Sequence, residues 1–312
     1  MAPSDRRRPS SFSRARSPAG GKAFEFLART QALALGDYRC AHTHVERGAE
    51  EATLGHVINF PRYGVYVKHV RGREVLVDAR RAVFFNGGEP FRTSHPHGCG
   101  DGGRFLRLRA DVVLDLLREI EPRALGHAES PFARTDVPLE TSVELFAATL
   151  FTRAGQLDPL ELEESTLALA AAILRCAASS SGSAPPANGA GVADGARGIL
   201  ARRFREPLRL EEFARALGVS MFHLCRVFKA RTGATVHEHL TRLRLGAALH
   251  PLAGGREDLT ELALELGFSS HSHFTRAFRR AFGLTPSEVR LRASGRRLVE
   301  LRSRLQRAAP PA

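Results

Sequence analysis

The spacing of apolar residues changes along the chain. Between residues 36 and 109, β-branched and aromatic residues come in short runs: Gly55-His-Val-Ile-Asn-Phe60, Gly64-Val-Tyr-Val-Lys-His-Val70, Glu74-Val-Leu-Val-Asp78, Ala82-Val-Phe-Phe85 and Arg104-Phe-Leu-Arg-Leu-Arg109. Turn residues separate them at Pro61, Arg71-Gly72, Asn86-Gly-Gly88 and Asp101-Gly-Gly103. Such runs predict short strands in a small sandwich or barrel. From Asp111 to Glu121, and again over roughly 138–154 and 158–178, the apolar spacing becomes helical. The sequence 23–178 therefore reads as an α+β domain.

Residues 197–290 are predicted to be helical throughout, and their pattern repeats. Ala214, Leu217 and Gly218 match Ala263, Leu266 and Gly267 at an offset of 49. Leu224, Arg226, Phe228, Lys229 and Gly233 match Phe274, Arg276, Phe278, Arg279 and Gly283 at an offset of 50, so the extra residue falls inside the turn. Each copy has the logic of a helix-turn-helix. A small Ala lets two helices cross closely, and a Gly accepts the left-handed backbone of the tight turn. Leu217, Val219, Leu224, Val227 and Phe228 pack the first pair together. That leaves Phe222, His223, Cys225, Arg226 and Lys229 as outward candidates, and His271, Ser272, His273, Thr275, Arg276 and Arg279 in the second copy. Helices exposing Arg and hydrogen-bonding side chains suit the DNA major groove, where Arg can hold guanine bidentately. Between the copies, Val236–Leu252 reads as a packed helix; about 15 helical residues span roughly 22 Å, a rigid spacer between two reading heads.

Charge sharpens this division. The 312 residues carry 46 Lys plus Arg against 33 Asp plus Glu, a net +13. Residues 1–22 hold +5, residues 23–196 hold −4, and residues 197–312 hold +12. An Arg-rich genome would spread the excess evenly; a mildly acidic domain joined to a strongly basic one points instead to one part that seeks a polyanion. The Ser/Pro/Arg-rich stretch 1–22 reads as a disordered basic arm, 179–197 as a flexible Ala/Ser/Gly/Pro linker, and 293–312 as a basic tail beyond the 198–292 domain. The longest apolar run, Leu167–Leu174, has 8 residues, far short of a bilayer span. No apolar segment follows the N-terminal charges as in a secretory signal. Four cysteines are too few for a disulfide scaffold. The expected location is the cytoplasm.

Residues 208–290 resemble the DNA-binding domain of the AraC/XylS family of bacterial transcription regulators, most specifically over Leu262-Ala-Leu-Glu-Leu-Gly-Phe-Ser-Ser-His-Ser-His-Phe-Thr-Arg-Ala-Phe-Arg-Arg-Ala-Phe-Gly-Leu-Thr-Pro286-Ser-Glu-Val-Arg290. The resemblance implies a non-enzymatic regulator that binds double-stranded promoter DNA through two helix-turn-helix units and activates RNA polymerase. By position, Phe222, Cys225 and Arg226 fall at the family's base-facing places in the first unit, and His271, Ser272, Thr275 and Arg276 in the second. Cys225 departs from the longer polar residue often found there. The resemblance also implies an N-terminal cupin-like β barrel that senses an effector, with a homodimer contact expected through 138–178.

Two clusters in that domain carry chemistry of their own: Cys40-x-His42-x-His44 and His95-x-His97-x-Cys99. Alternate residues on a strand face one side, so two such strands could gather His and Cys donors around a divalent metal such as zinc. A triplet spans roughly 13 Å on a strand, so no single ion takes all six. A Cys40/Cys99 redox switch and an organic effector pocket without metal remain open alternatives, and no cofactor is required by the sequence. Two other functions compete with a specific regulator: an architectural protein that binds DNA without sequence choice, and a cupin metalloenzyme tethered to DNA. No Ser/His/Asp arrangement, phosphate-binding glycine loop or carboxylate pair supports the latter.

Overall fold

The computed structural model describes residues 21–120, 129–179, 190–255, 258–291 and 295–307. Strands β1 (Lys22–Arg29), β2 (Leu33–Cys40), β3 (His56–Tyr63), β6 (Arg81–Phe85), β8 (Asp101–Leu108) and β9 (Asp136–Pro138) build a six-stranded antiparallel sheet in the order β1-β2-β8-β3-β6-β9. Strands β4 (Tyr66–Val70), β5 (Arg73–Val77) and β7 (Arg92–Ser94) form a smaller sheet in the order β5-β4-β7.

Period-two alternation gives the large sheet two buried faces. Leu35, Ile58, Phe84 and Leu106 point towards the helices α1 (Ala110–Ile120), α2 (Thr141–Arg153) and α3 (Pro159–Ser179). Their neighbours Val57, Phe85 and Phe105 point the other way and meet Tyr66, Val70 and Val77 of the small sheet. The sheets pack face to face, and among the described residues they do not close, so the expected cupin-like barrel is an open two-sheet arrangement. Strands β1 and β2 extend it further towards the N-terminus than the expected start at residue 36, and Lys22, read as the end of the arm, begins β1. The rest of the arm, 1–20, lies outside the described residues.

The basic third begins with α4 (Ala190–Arg203), so the second half of the segment read as a linker is helical, while 180–189 lie outside the described residues. Then come α5 (Leu210–Ala216), α6 (Met221–Thr232), α7 (Val236–Ala253), α8 (Leu259–Glu265), α9 (His271–Phe282) and α10 (Pro286–Leu291). The expected tail contains α11 (Gly295–Arg307), which packs on α2 and α3 and places Arg302 against Glu164 at 2.5 Å. Among the described residues no helix is long and apolar enough to cross a membrane.

The two parts of the chain share one core. Leu245, Ala248, Leu249 and Leu252 of α7 belong to the same apolar cluster as Ile58, Phe60, Leu150 and Phe151. The apolar faces of α2 and α3 are therefore consumed within the chain, against α7 and α11. A partner subunit meeting 138–178 finds exposed Leu160 and little other apolar surface there.

At the rim of this core the charges are paired under cover. Asp78, at the β5–β6 turn and 1% exposed, accepts from Arg197 Nε of α4 at 2.8 Å and from the Arg80 backbone N–H at 3.0 Å. Arg197 also donates to the Leu76 carbonyl at 3.0 Å. Burial by itself would raise the Asp78 carboxyl, but Arg197, His239 and the Arg80 N–H together hold it below the ordinary range. His239 of α7 accepts from Arg80 at 3.2 Å, and burial lowers its pKa to about 4, keeping it neutral. Asp78→Asn is expected to cost about 3–5 kcal/mol in chemical denaturation, because it strands a buried guanidinium. Asp78→Asn combined with Arg197→Met should recover part of that loss; an equally destabilised double variant would show the pair is not the source.

Candidate nucleic-acid interface and effector cavity

The two helix pairs α5/α6 and α8/α9 are built alike. Ser220 accepts from the His223 N–H and Ser270 from the His273 N–H, so each second helix starts at a serine cap. Gly218 (φ 66°) and Gly267 (φ 82°) make the turns, and the next residue donates back, Val219 N to Ala214 O and Phe268 N to Ala263 O, both at 3.0 Å. Gly233 and Gly283 end the second helices in the left-handed conformation. The equivalence read from the 49- and 50-residue offsets thus extends to caps and turns.

Burial sorts the predicted residues. Leu224, Val227, Phe228, Phe274 and Phe278 are buried. Phe222 is 78% exposed, and Cys225, Arg226 and Lys229 are exposed beside half-buried His223. On α9, Ser272, His273, Arg276 and Arg279 are exposed, with His271 and Thr275 half-buried. Neighbours brace several of these groups: Arg226 reaches His223 at 3.5 Å, His273 Nδ1 meets Ser269 Oγ at 3.1 Å, and Thr275 Oγ1 lies 3.4 Å from His271 Nε2. Neither α6 nor α9 has an acidic residue in its first turn, while their last turns carry Lys229 and Arg231, and Arg279 and Arg280. Both outward surfaces suit a polyanion.

The residue that ties the two units together is one that pattern reading missed. Arg244 on α7 donates to Phe204 O at 2.6 Å, Gly267 O at 2.7 Å and Glu206 O at 2.8 Å. One guanidinium thus joins the end of α4, the spacer helix and the turn of the second unit. A Cβ at Gly267 would lie 2.5 Å from Arg205 O, so glycine there also admits this close approach. In sequence Arg244 is one arginine among 43, and only its partners distinguish it. The spacer starts at a capping box formed by Thr235 and Glu238.

The six candidate metal ligands divide between two places. Cys40 ends β2, and Cys40 Sγ lies 3.8 Å from His95 Nε2; the His42 and His44 rings stand 6.5 Å and 5.6 Å from the His95 ring. Only Cys40 of the six lies in a strand, so loops, and not the strand alternation expected, bring these four together. Asp101, which sequence reading passed over as a turn residue, joins them through Oδ2 at 2.7 Å from His95 Nε2. His97 and Cys99 turn instead towards α4: a Cβ at Gly198 would lie 1.8 Å from His97 Nε2, and Cys99 packs near Ala201. Cys40 and Cys99 are both free thiols and line different cavities.

One cavity, about 450 Å³, lies between the sheets and is lined by Phe24, Tyr38, Tyr66, Phe85, Phe91 and Phe105, with Cys40, Asp101 and Arg107 in its wall; the Arg107 guanidinium stands 5.3 Å from the Phe26 ring centroid. A second, about 580 Å³, lies between the sheets and α4 and α7, where Arg62, Arg104, Arg202, Arg205 and His250 converge. Arg104 donates to His250 Nδ1 at 2.6 Å, and burial lowers the His250 pKa to about 4. Beneath the aromatic cavity, Lys68 is 1% exposed, donates to Phe84 O at 2.6 Å, and sits 3.8 Å from the Phe85 ring centroid. Burial, opposed only partly by Glu89, lowers its pKa to about 7.

Fold and surface together define a double helix-turn-helix protein with a sheet domain docked on it. Residues 213–292 match the family described as a helix-turn-helix domain. Over 91 residues the chain is 37% identical to the HTH-type transcriptional activator RhaS of Escherichia fergusonii, covering 29% of this chain and 33% of that protein. It is 31% identical over 93 residues to the virulence regulon transcriptional activator VirF of Yersinia enterocolitica, covering 30% and 34%. The chain spans about a third of the length of the curated relatives it matches. Among solved structures, a transcriptional regulator of the AraC-type DNA-binding-domain proteins from Chromobacterium violaceum is 29% identical over 35% of this chain and 98% of its own, at a TM-score of 0.33. ToxT from Vibrio cholerae O395 is 11% identical over 85% of this chain and 100% of its own, at a TM-score of 0.36. Residues 213–292 are a helix-turn-helix domain.

Lys68 gives this region a pH signature. Its amine is protonated in the unfolded chain up to the ordinary lysine value and in the folded chain only up to about 7. Between those values the unfolded state binds more protons, so stability rises with pH. Lys68→Met is expected to flatten that rise between pH 7 and 10, read as the difference between urea-denaturation curves of variant and wild type; parallel curves would contradict a depressed amine.

Proposed function

We propose that this protein is a sequence-specific transcription regulator, an activator that holds promoter DNA through α6 and α9 and acts with RNA polymerase in the bacterial cytoplasm. The observation that carries this reading is the duplication: two helix-turn-helix units with the same caps and turns, each exposing an Arg and a second cation at matching positions, Arg226/Lys229 and Arg276/Arg279. The relatives bearing the same domain are named transcriptional activators. The α7 spacer of 18 residues, roughly 27 Å long, suits two reading heads about one DNA turn apart. The N-terminal domain is the sensor. Its aromatic cavity, with Arg107 in the wall, suits a flat apolar effector carrying an anionic group. A homodimer is proposed through 138–178, over the surface of α2 and α3 that the α7 and α11 packing leaves open.

An architectural protein that binds any DNA is the second reading, favoured only by the charge of the basic third. Competition between a fragment selected from a random DNA pool and the unselected pool separates the two. A regulator keeps a preference of about a thousandfold or more at physiological salt, whereas an architectural protein loses both fragments equally as salt rises. A cupin metalloenzyme tethered to DNA is the third reading; at His95 no nucleophile–base–orienter relay supports an enzyme, because Cys40 and Asp101 approach the same ring nitrogen.

Arg226→Ala and Arg276→Ala are each expected to weaken binding to the selected fragment by about 1–3 kcal/mol and to relax base preference in one half-site. Unchanged affinity and selectivity in both variants would refute the assignment. Arg244→Ala leaves every outward residue in place but removes the three hydrogen bonds that join the turn of the second unit to the spacer and the end of α4. Its expected effect is about tenfold weaker binding to a two-half-site fragment with little change on a single half-site, because only the coupling between heads is lost.

A further inference from the structure

Cys40, His95 and Asp101 come from three separate segments, and their donor atoms converge. The sulfur, a ring nitrogen and a carboxylate oxygen all lie within 4.8 Å of one another. The three residues are buried, at 6%, 1% and 4% exposure. Backbone pairing fixes each of them. Cys40 and Asp101 are direct cross-strand partners at the end of the β2–β8 ladder, and the His95 N–H donates to the His44 carbonyl at 2.9 Å.

We infer that these three side chains form a binding site for a single divalent, borderline-soft metal ion, zinc by its chemistry, in the wall of the aromatic cavity. Thiolate, imidazole and carboxylate are the donor types that zinc takes in sites with three protein ligands and an open fourth position. Tetrahedral bonds of about 2.3 Å to sulfur and about 2.0 Å to nitrogen or oxygen put those donors roughly 3.3–3.6 Å apart. The 3.8 Å between Cys40 Sγ and His95 Nε2 is close to that spacing. The 2.7 Å between His95 Nε2 and Asp101 Oδ2 is a direct hydrogen bond, and the ion replaces its proton as the carboxylate withdraws by about half an ångström.

One feature favours an ion over a purely structural histidine. Both Cys40 and Asp101 address the one ring nitrogen Nε2, so a single ion placed there meets all three donors. His44 supplies the nearest further imidazole. Its Nδ1 donates to the Glu46 carbonyl at 2.9 Å, which leaves the lone pair on Nε2. The His44 ring centre lies 5.6 Å from that of His95, outside the group of converged donors, so the fourth position is open. Because Cys40 and Asp101 also line the cavity, an effector with an oxygen or nitrogen donor could take that position.

Metal binding is read without DNA, so its outcome is independent of the function proposed above. The full chain, stripped with a chelator, is titrated with cobalt(II) and in parallel with zinc under competition. The expected result is one equivalent of cobalt with a tetrahedral visible spectrum and a sulfur-to-cobalt charge-transfer band in the near ultraviolet. Cys40→Ser should abolish that band, and Asp101→Asn should weaken binding by about tenfold or more. His97→Ala combined with Cys99→Ser should bind as wild type does. Circular dichroism and thermal melting of the metal-free variants establish that each is folded, and any that is not is replaced by the alanine variant at the same position. Absence of a stoichiometric cobalt spectrum in wild type overturns the site. So does a thiolate band that survives loss of the Cys40 thiol or disappears with Cys99.

Discussion

The relation between sheets and helices rests on the buried pairing of Asp78 with Arg197. The carboxylate sits at a turn of the sheet domain and the guanidinium on the first helix of the basic third, 119 residues away. Neither charge could stay under cover without the other. Once they are joined, α4 lies against the sheets and the neutral imidazole of His239 completes the contact from α7. The spacer helix then buries Leu245, Ala248 and Leu249 in the core that contains Ile58 and Phe60. A shift in the sheets is consequently felt by the helix that holds the two reading heads.

Arg244 performs the corresponding task on the DNA-facing side. Three carbonyl oxygens from two segments meet one planar fork of donors, a geometry that a lysine cannot reproduce. The domain contact and the contact between units therefore use the same helix α7, reached by Asp78, Arg80 and Arg104 from the sheets and by Arg244 from within. The interdomain cavity, with its converging arginines, opens along this helix, while the aromatic cavity lies between the sheets.

How much of this was legible depended on sequence distance. Ala214, Gly218, Ser220 and Gly233 write one helix-turn-helix within twenty residues, and the second copy repeats it; caps, turns and exposed faces follow from local backbone preference. The strand runs from Gly55 to Arg109 were readable for the same reason. The barrel was not, because closure depends on how two sheets meet. Strand β1 was overlooked because Lys22 adjoins an Arg-rich stretch, and the tail was read by its charge although Leu298, Leu301 and Leu305 form an apolar stripe that is buried against α2 and α3. Among the chemical residues, Cys40, His44 and His95 stood out by type, whereas Asp101 looked like a turn former and Lys68 like one more strand residue.

By itself, then, the sequence determined the duplicated reading head, the residues it turns outward, and the contrast between an acidic domain and a basic one. These are properties of short segments, set by helix period, caps and composition. The tertiary structure alone decided that the two domains share a core, that Asp78 and Arg197 hold it shut, and that Arg244 links the heads. It also decided that Asp101, not His97 or Cys99, stands beside Cys40 and His95. Each of these joins residues distant along the chain, and their meeting is fixed by burial and pairing that no local pattern encodes.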